Sequence, residues 1–343
     1  MPSSALHVGQ RVDKYVVRGP LAAGSWGRVF EARHERLGSD VAIKVLSNAR
    51  DGVTERFESE ARTAARVRHR NVLEVYDVGN LADGTPYLVM ELLRGGDLAA
   101  KLDDGPLPID AVVDLGRQLA AGLVALSDAG VVHRDIKPQN IVLHHEGDEV
   151  VAKIVDFGVS KPRPSGSTAS ASDGGMVVGT PYYMSPEQVR GDDLDARSDM
   201  YSVGVVLYEC LTGRLPFVAP SVGTLARCIL DDPVPPIRDR RAECPRDLEA
   251  VVLRMLAKDP AARHASPREL GADLERLVAT LRLRSGATAW AAHAAESRPP
   301  QALPASGPAV PVPADRTARK WVLLAVVALL ALMVATMLGW IGP

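Results

Sequence analysis

The chain lacks the material for a disulfide framework. It has only three cysteines, Cys210, Cys228 and Cys244. Their odd number and the absence of any CxxC pair exclude a stapled secreted scaffold and a cysteine-ligated metal knot, so they read as buried or neutral thiols in a reducing compartment. A dominant charge is lacking too: 40 Lys and Arg against 42 Asp and Glu leave a net charge of -2. That balance gives no electrostatic ground for a nucleic-acid or polyanionic partner. Met1 to Gln10 contain no cationic start followed by an apolar run, so no secretory signal is expected within them. No internal repeat is present.

What is there begins with size. A length of 343 residues, 46% of them apolar and 24% charged, has the composition of a globular chain with room for a sizeable core. The C-terminal part differs from the rest. From Trp321 to Ile341 every residue except Thr336 is apolar or small. As a helix rising about 1.5 Å per residue, that run covers roughly 30 Å, a bilayer core, and it predicts a membrane span. Residues 283 to 320, rich in Ala and Pro without periodicity, read as a flexible tether leading to it.

Residues 15 to 92 alternate as strands do. Tyr15 to Leu21, the turn Ala23-Gly24-Ser25-Trp26-Gly27 and Arg28 to Ala32 predict a hairpin with a glycine loop at its tip. Gly24 and Gly27 allow the backbone to approach a ligand and offer bare amides to phosphate oxygens, although such a loop is more often an ordinary turn. Asp40 to Leu46 is a strand with one lysine, Lys44, inside an apolar run. An ammonium there needs a carboxylate or phosphate partner. Glu60, beside the apolar face Phe57, Ala61, Ala64 and Ala65 of a predicted helix over 54–67, is a candidate, as are solvated roles for it and its charged neighbours. Val72 to Val78 and Pro86 to Glu91 complete a predicted sheet of about five strands.

After Gly95-Gly96 the period becomes helical: Val112, Leu115, Leu119, Leu123 and Leu126 share one face. That helix leads into His133-Arg134-Asp135-Ile136-Lys137-Pro138-Gln139-Asn140. An acid, an amide, cations and a proline packed into so short a stretch make a poor core. They suit a site holding a metal and a hydroxyl near a phosphate, and a plain polar loop is the other reading. Short strands Ile141 to Leu143 and Ala152 to Val155 follow, the second ending in Asp156-Phe157-Gly158. Residues 161 to 175 form a Ser-, Gly-, Pro- and Ala-rich loop, closed by Gly179 to Glu187. Buried helices are predicted around Val203 to Leu211 and Leu248 to Leu256. A last one opens with a capping box at Ser266-Pro267-Arg268-Glu269 and ends near residue 282.

The glycine loop, Val41-Ala42-Ile43-Lys44, the stretch from His133 to Asn140, Asp156-Phe157-Gly158 and Ser185-Pro186-Glu187 occur in the order and approximate spacing of eukaryotic-like protein kinases. The chain resembles that family over about residues 15 to 280, with likeness to bacterial membrane-anchored Ser/Thr kinases. The resemblance implies an α+β, bilobal protein-kinase-like fold, with a five-stranded antiparallel sheet and one helix in the N-lobe, a mainly helical C-lobe, and a C-terminal transmembrane helix. The corresponding boundaries are an N-terminal extension at 1–14, a kinase domain at 15–282 divided near 92, a juxtamembrane linker at 283–320 and the span at 321–341.

It also implies ATP with Mg²⁺, or Mn²⁺ in its place, and Ser/Thr side chains of proteins as acceptors. By the match, Asp135 orients the hydroxyl and takes its proton, Lys137 steadies the moving phosphoryl group, and Lys44, oriented by Glu60, holds ATP phosphates. Asn140 and Asp156 are the implied metal ligands. ATP is implied to contact Leu21, Ala22, Ala23, Gly24, Ser25, Trp26, Gly27, Val29, Ala42, Met90 and Leu143, with backbone groups of Glu91 and Leu93 reading the adenine edge. Ala22 stands where the family has its first loop glycine. Lys137 and Gly179-Thr180 resemble the Ser/Thr-specific pattern, with Thr180 on the substrate platform. Glu187 paired with Arg263, and Asp199 bracing the catalytic loop, are implied scaffold, and His133 is read as a packing residue.

Regulation is expected at the serine-rich loop, where a phosphate on Thr168, Ser170 or Ser172 would pair with Arg134 and Lys161. Arg316, Arg319 and Lys320 on the N-terminal side of the span predict a cytoplasmic kinase domain at the inner membrane, single-pass, with no room for an external sensor. Ala331, Ala335 and Gly339 form a small-residue face that could pair two copies. A membrane-tethered pseudokinase scaffold and a small-molecule kinase are the competing readings. Retention of Lys44, Asp135, Asn140 and Asp156 opposes the first, and the segment from Gly179 to Glu187 opposes the second.

Overall fold

Alternating apolar residues in the first third of the chain build a sheet with two unlike faces. In the computed structural model, residues 6–24, 27–46, 64–156 and 181–285 are described. The sheet comprises β1 (Arg11–Val12), β2 (Tyr15–Gly24), β3 (Gly27–His34), β4 (Asp40–Leu46), β5 (Val75–Asn80) and β6 (Pro86–Glu91). All neighbours are antiparallel, in the order β1-β2-β3-β4-β6-β5. On β4, Val41, Ile43 and Val45 join Phe30, Tyr87 and Val89 in one apolar cluster, whereas Ala42 joins Met90 and Leu88 in the main core. Period two therefore sorts the residues of one strand between two cores.

The sheet has six strands, one more than its sequence pattern suggests. The extra one, β1, comes from the expected N-terminal extension, where Leu6 and Val12 pack into the cluster that holds Ile43. A two-residue strand has no readable periodicity, so only its pairing with Val16 and Tyr15 reveals it. β5 also starts later than Val72, which makes a separate bridge to Ile154. Most of the helix predicted over 54–67 lies outside the described residues, with Ala64 and Val67 at its end buried in the main core.

Gly27 is required by the protein itself, because a Cβ there would run into the Val45 carbonyl oxygen of the neighbouring strand. Gly95, at φ +138°, is in the same position against the Leu143 carbonyl oxygen. The close approach permits Leu143 N–H to donate to the Gly96 carbonyl at 2.9 Å. The linker after β6 is thereby fastened to β7 (Ile141–Glu146), which pairs with β8 (Glu149–Ile154).

The remaining elements are helical: α1 (Leu98–Leu102), α2 (Ile109–Asp128), α3 (Pro186–Arg190), α4 (Ala196–Thr212), α5 (Val222–Asp231), α6 (Arg246–Met255) and α7 (Pro267–Ser285). Val112, Leu115, Leu119, Leu123 and Leu126 of α2 are each 1% exposed or less, in a helix packed against α4, α7 and β8. Burial of each such leucine contributes about 1.5–3 kcal/mol. Helix α4 is buried from Ser198 to Leu211 with Glu209 as its exception, capped by Asp195 at one end and left-handed Gly213 at the other. A helix buried on nearly every side has no amphipathic stripe, so its sequence reads as continuous core.

Helix α7 runs three residues past the expected end at 282. Its capping box is half formed. Ser266 Oγ accepts the Glu269 N–H at 3.3 Å, but the Glu269 carboxylate reaches the Ala265 N–H at 2.8 Å instead of the N-cap's own. Among the described residues no helix is long and apolar enough to cross a membrane, and the segment 321–341 lies outside them.

Candidate active site

The stretch after α2 is held by its backbone. Asp199, 2% exposed in the first turn of α4, accepts the His133 N–H at 2.7 Å and the Arg134 N–H at 2.8 Å. Burial pushes its carboxyl up from the ordinary range, against the pull of His133 and of those two N–H groups. Arg134 adopts φ +68°, a left-handed conformation costly for a residue with a side chain.

His133 does more than pack. It is fully buried, with Nε2 3.0 Å from the Val155 carbonyl oxygen and Nδ1 accepting the Asp135 N–H at 3.3 Å. The ring thus joins the peptide before Asp135 to the peptide before Asp156. Both contacts use backbone atoms, so no spacing in the sequence announces them.

Asp135 Oδ2 accepts from Lys137 Nζ at 3.0 Å and from Asn140 Nδ2 at 3.1 Å. Asn140 Nδ2 also donates to the Asp135 carbonyl at 2.8 Å, and the Asn140 carbonyl accepts the Val155 N–H at 2.9 Å. With its nitrogen committed to Asp135, the Asn140 carboxamide has its oxygen to offer another partner. Asp156 follows β8 at φ +58°, and its carboxylate pairs with Lys44 Nζ across the cleft. The Lys44 side chain is 14% exposed and that of Asp156 50%.

The sheet supplies an apolar wall beside this pair. Val29 lies opposite Lys44 in the register, and Met90 opposite Ala42. Ala42, Met90 and Leu143 are buried, Val29 packs against the same cluster, and Leu21, Ala22 and Ala23 are exposed on β2. Glu91 and Leu93 are half-buried at the start of the linker, where the Glu91 N–H donates to the Glu74 carbonyl at 2.9 Å.

Behind that linker lies a pair that the sequence pattern did not single out. Lys153 Nζ sits 2.8 Å from Glu91 Oε2 and 2.9 Å from Oε1, and Glu91 Oε1 also accepts the Glu74 N–H at 2.8 Å. The Lys153 side chain is 7% exposed. The signal that could have found it is the one that marks Lys44, a lysine inside an apolar strand.

On the helical side, Arg263 grips Glu187 with a two-pronged fork, Nη1 to Oε1 at 2.7 Å and Nη2 to Oε2 at 2.8 Å. Ser198 Oγ donates to Oε1 at 2.7 Å, and the guanidinium lies 5.0 Å from the Tyr201 ring centre. Burial alone would raise the Glu187 carboxyl, but the fork and the Ser198 hydroxyl outweigh it and hold it down to about 2. Ser25, Trp26, Glu60, Lys161, Thr168, Ser170, Ser172 and Thr180 lie outside the described residues.

An acid held by a lysine and an asparagine, joined through His133 to the peptide before a second acid that pairs with a strand lysine, fits a phosphotransferase of the kinase type. The protein kinase domain model matches residues 15–272. The chain is 40% identical over 276 residues to serine/threonine-protein kinase PknL of Mycobacterium tuberculosis, covering 79% of this chain and 67% of that one. It is 39% identical to serine/threonine-protein kinase pkn3 of Myxococcus xanthus over 80% of this chain and 52% of that relative. The crystal structure of the M. tuberculosis PknI kinase domain superposes with a TM-score of 0.63 at 28% identity, covering 80% of this chain and 100% of that one. The chain belongs to the protein kinase family and is a serine/threonine protein kinase.

Proposed function

We propose that the protein transfers the γ-phosphate of ATP to Ser and Thr hydroxyls of proteins, with Asp135 as the base and Lys137 steadying the transferred group. The observation that carries this reading is the Asp135 carboxylate held from two sides, by Lys137 and Asn140, within a loop whose backbone Asp199 pins. Lys44 and the loop from Leu21 to Gly27 would hold the phosphates, Glu60 would orient Lys44, and Ala42, Val29, Met90 and Leu143 would enclose the adenine. The carboxylate of Asp156 and the carboxamide oxygen of Asn140 are hard oxygen donors that fit Mg²⁺. Phosphate oxygens of ATP would complete the set. Bound there, Mg²⁺ would neutralise phosphate charge.

Activation would come from phosphorylation of Thr168, Ser170 or Ser172, with Arg134 and Lys161 receiving the phosphate. The segment 321–341 would anchor the chain in the inner membrane with the kinase domain in the cytoplasm, a reading supported by Arg316, Arg319 and Lys320 beside it. Pairing of two copies through Ala331, Ala335 and Gly339 would bring two activation loops together.

The test is transfer of labelled γ-phosphate by the full chain to itself and to a generic acceptor protein, with Mg²⁺, against Asp135→Asn. Loss of about 10²–10⁴-fold in the variant is expected. Equal incorporation by both would overturn the assignment of Asp135 and leave the scaffold reading.

A further inference from the structure

The peptide unit between Arg134 and Asp135 sets the direction in which the Asp135 side chain leaves the backbone. Its N–H is held by His133 Nδ1 at 3.3 Å. Its carbonyl, that of Arg134, accepts from Gln188 Nε2 at 2.8 Å. The same Gln188 carboxamide uses its oxygen to accept the Ser185 N–H at 2.9 Å, completing the capping box of α3 with Ser185 Oγ and the Gln188 N–H at 3.3 Å. One orientation of the amide satisfies both contacts, and turning it over would set oxygen against carbonyl and NH₂ against N–H.

We propose that Gln188 is a positioning residue for phosphoryl transfer, coupling α3, which follows the segment that closes the serine-rich loop, to the peptide that aims Asp135. Three facts support the assignment. Arg134 sits at φ +68°, so this peptide needs external restraint. His133 restrains its N–H and Asp199 holds the preceding peptide, both from the core side, whereas Gln188 holds its carbonyl from α3. Glu187, the preceding residue, is anchored by Arg263, so α3 is a fixed support for the amide. A shift of α3 would therefore be felt at Asp135.

This role of Gln188 rests on the phosphotransferase reading, and one set of variants separates the two. Gln188→Glu keeps an oxygen for the Ser185 N–H but cannot donate to the Arg134 carbonyl. Ser185→Ala removes the other half of the cap and leaves the donor in place. Steady-state kinetics of the full chain are measured at a temperature where circular dichroism shows every variant folded. Gln188→Glu is expected to lower kcat about tenfold, with KM for ATP within about twofold of wild type. Ser185→Ala is expected to lower Tm by a few degrees with kcat nearly unchanged. Wild-type kcat in Gln188→Glu, or an equal kcat loss in Ser185→Ala, would overturn the proposal alone. Wild-type protein without transfer would overturn both this and the parent reading.

Discussion

Two ion pairs flank the loop from His133 to Asn140, and they are built for opposite purposes. Lys44 and Asp156 meet across the cleft, with half of the Asp156 side chain open to solvent. Arg263 and Glu187 meet where the side chains are 0% and 5% exposed, and the guanidinium's other hydrogen bonds go to backbone carbonyls. A solvated pair is worth about 0–1 kcal/mol and can exchange partners when a ligand arrives. A buried pair gives little net gain over apolar packing, but removing one partner costs about 3–5 kcal/mol because a charge is stranded. The first pair is thus available for chemistry, and the second is committed to holding α3 against α4.

Exchanging the damage puts that contrast to the test. Lys44→Met should lower kcat/KM by about 10²-fold or more while unfolding free energy changes by about 1 kcal/mol or less. Phosphate transfer and urea unfolding of the same preparation would check it. Glu187→Gln should do the reverse, losing about 3–5 kcal/mol of stability by stranding Arg263. Activity lost at unchanged stability would refute the structural role.

Acid separates the two pairs along a second axis. The Glu187 carboxyl falls from its ordinary 4.5 to about 2 in the folded chain. Its contribution is therefore complete above about pH 4.5 and is lost as pH falls through about 2, amounting to about 3 kcal/mol in all. Urea titrations at about pH 6 and about pH 2.5 should show an acid loss smaller by about 2–3 kcal/mol in Glu187→Gln than in wild type. Identical pH slopes would remove the Arg263 fork as the cause. The smallest expected effect on catalysis is at the pair behind the linker. There Lys153→Met should raise KM for ATP a few-fold with kcat held, an effect of about 1 kcal/mol read from steady-state kinetics.

Much of this arrangement was legible as local pattern. The stripe of α2 announces a helix and its buried face, and the short apolar run of β4 announces a strand, because both are properties of a few consecutive residues. The same kind of inspection singled out Lys44 and the polar stretch holding Asp135 and Asn140, whereas Asp156 and the separate roles came from the resemblance to protein kinases. Lys153 could have been found by the criterion applied to Lys44, since both are cations within apolar strands. Strand β1 could not, because two residues carry no period.

Most elements, the family and the inventory of chemical groups thus follow from the order of residues alone. Which of those groups meet is settled only by packing. His133 bonds to Val155, Asp199 to two N–H groups of the loop, Gln188 to the Arg134 carbonyl and Glu91 to Lys153. Each of these contacts joins residues distant in the chain or uses a backbone atom that every residue possesses. Side-chain pattern encodes burial, whereas the aim of a carboxylate is fixed by hydrogen bonds that form after the helices and strands have packed.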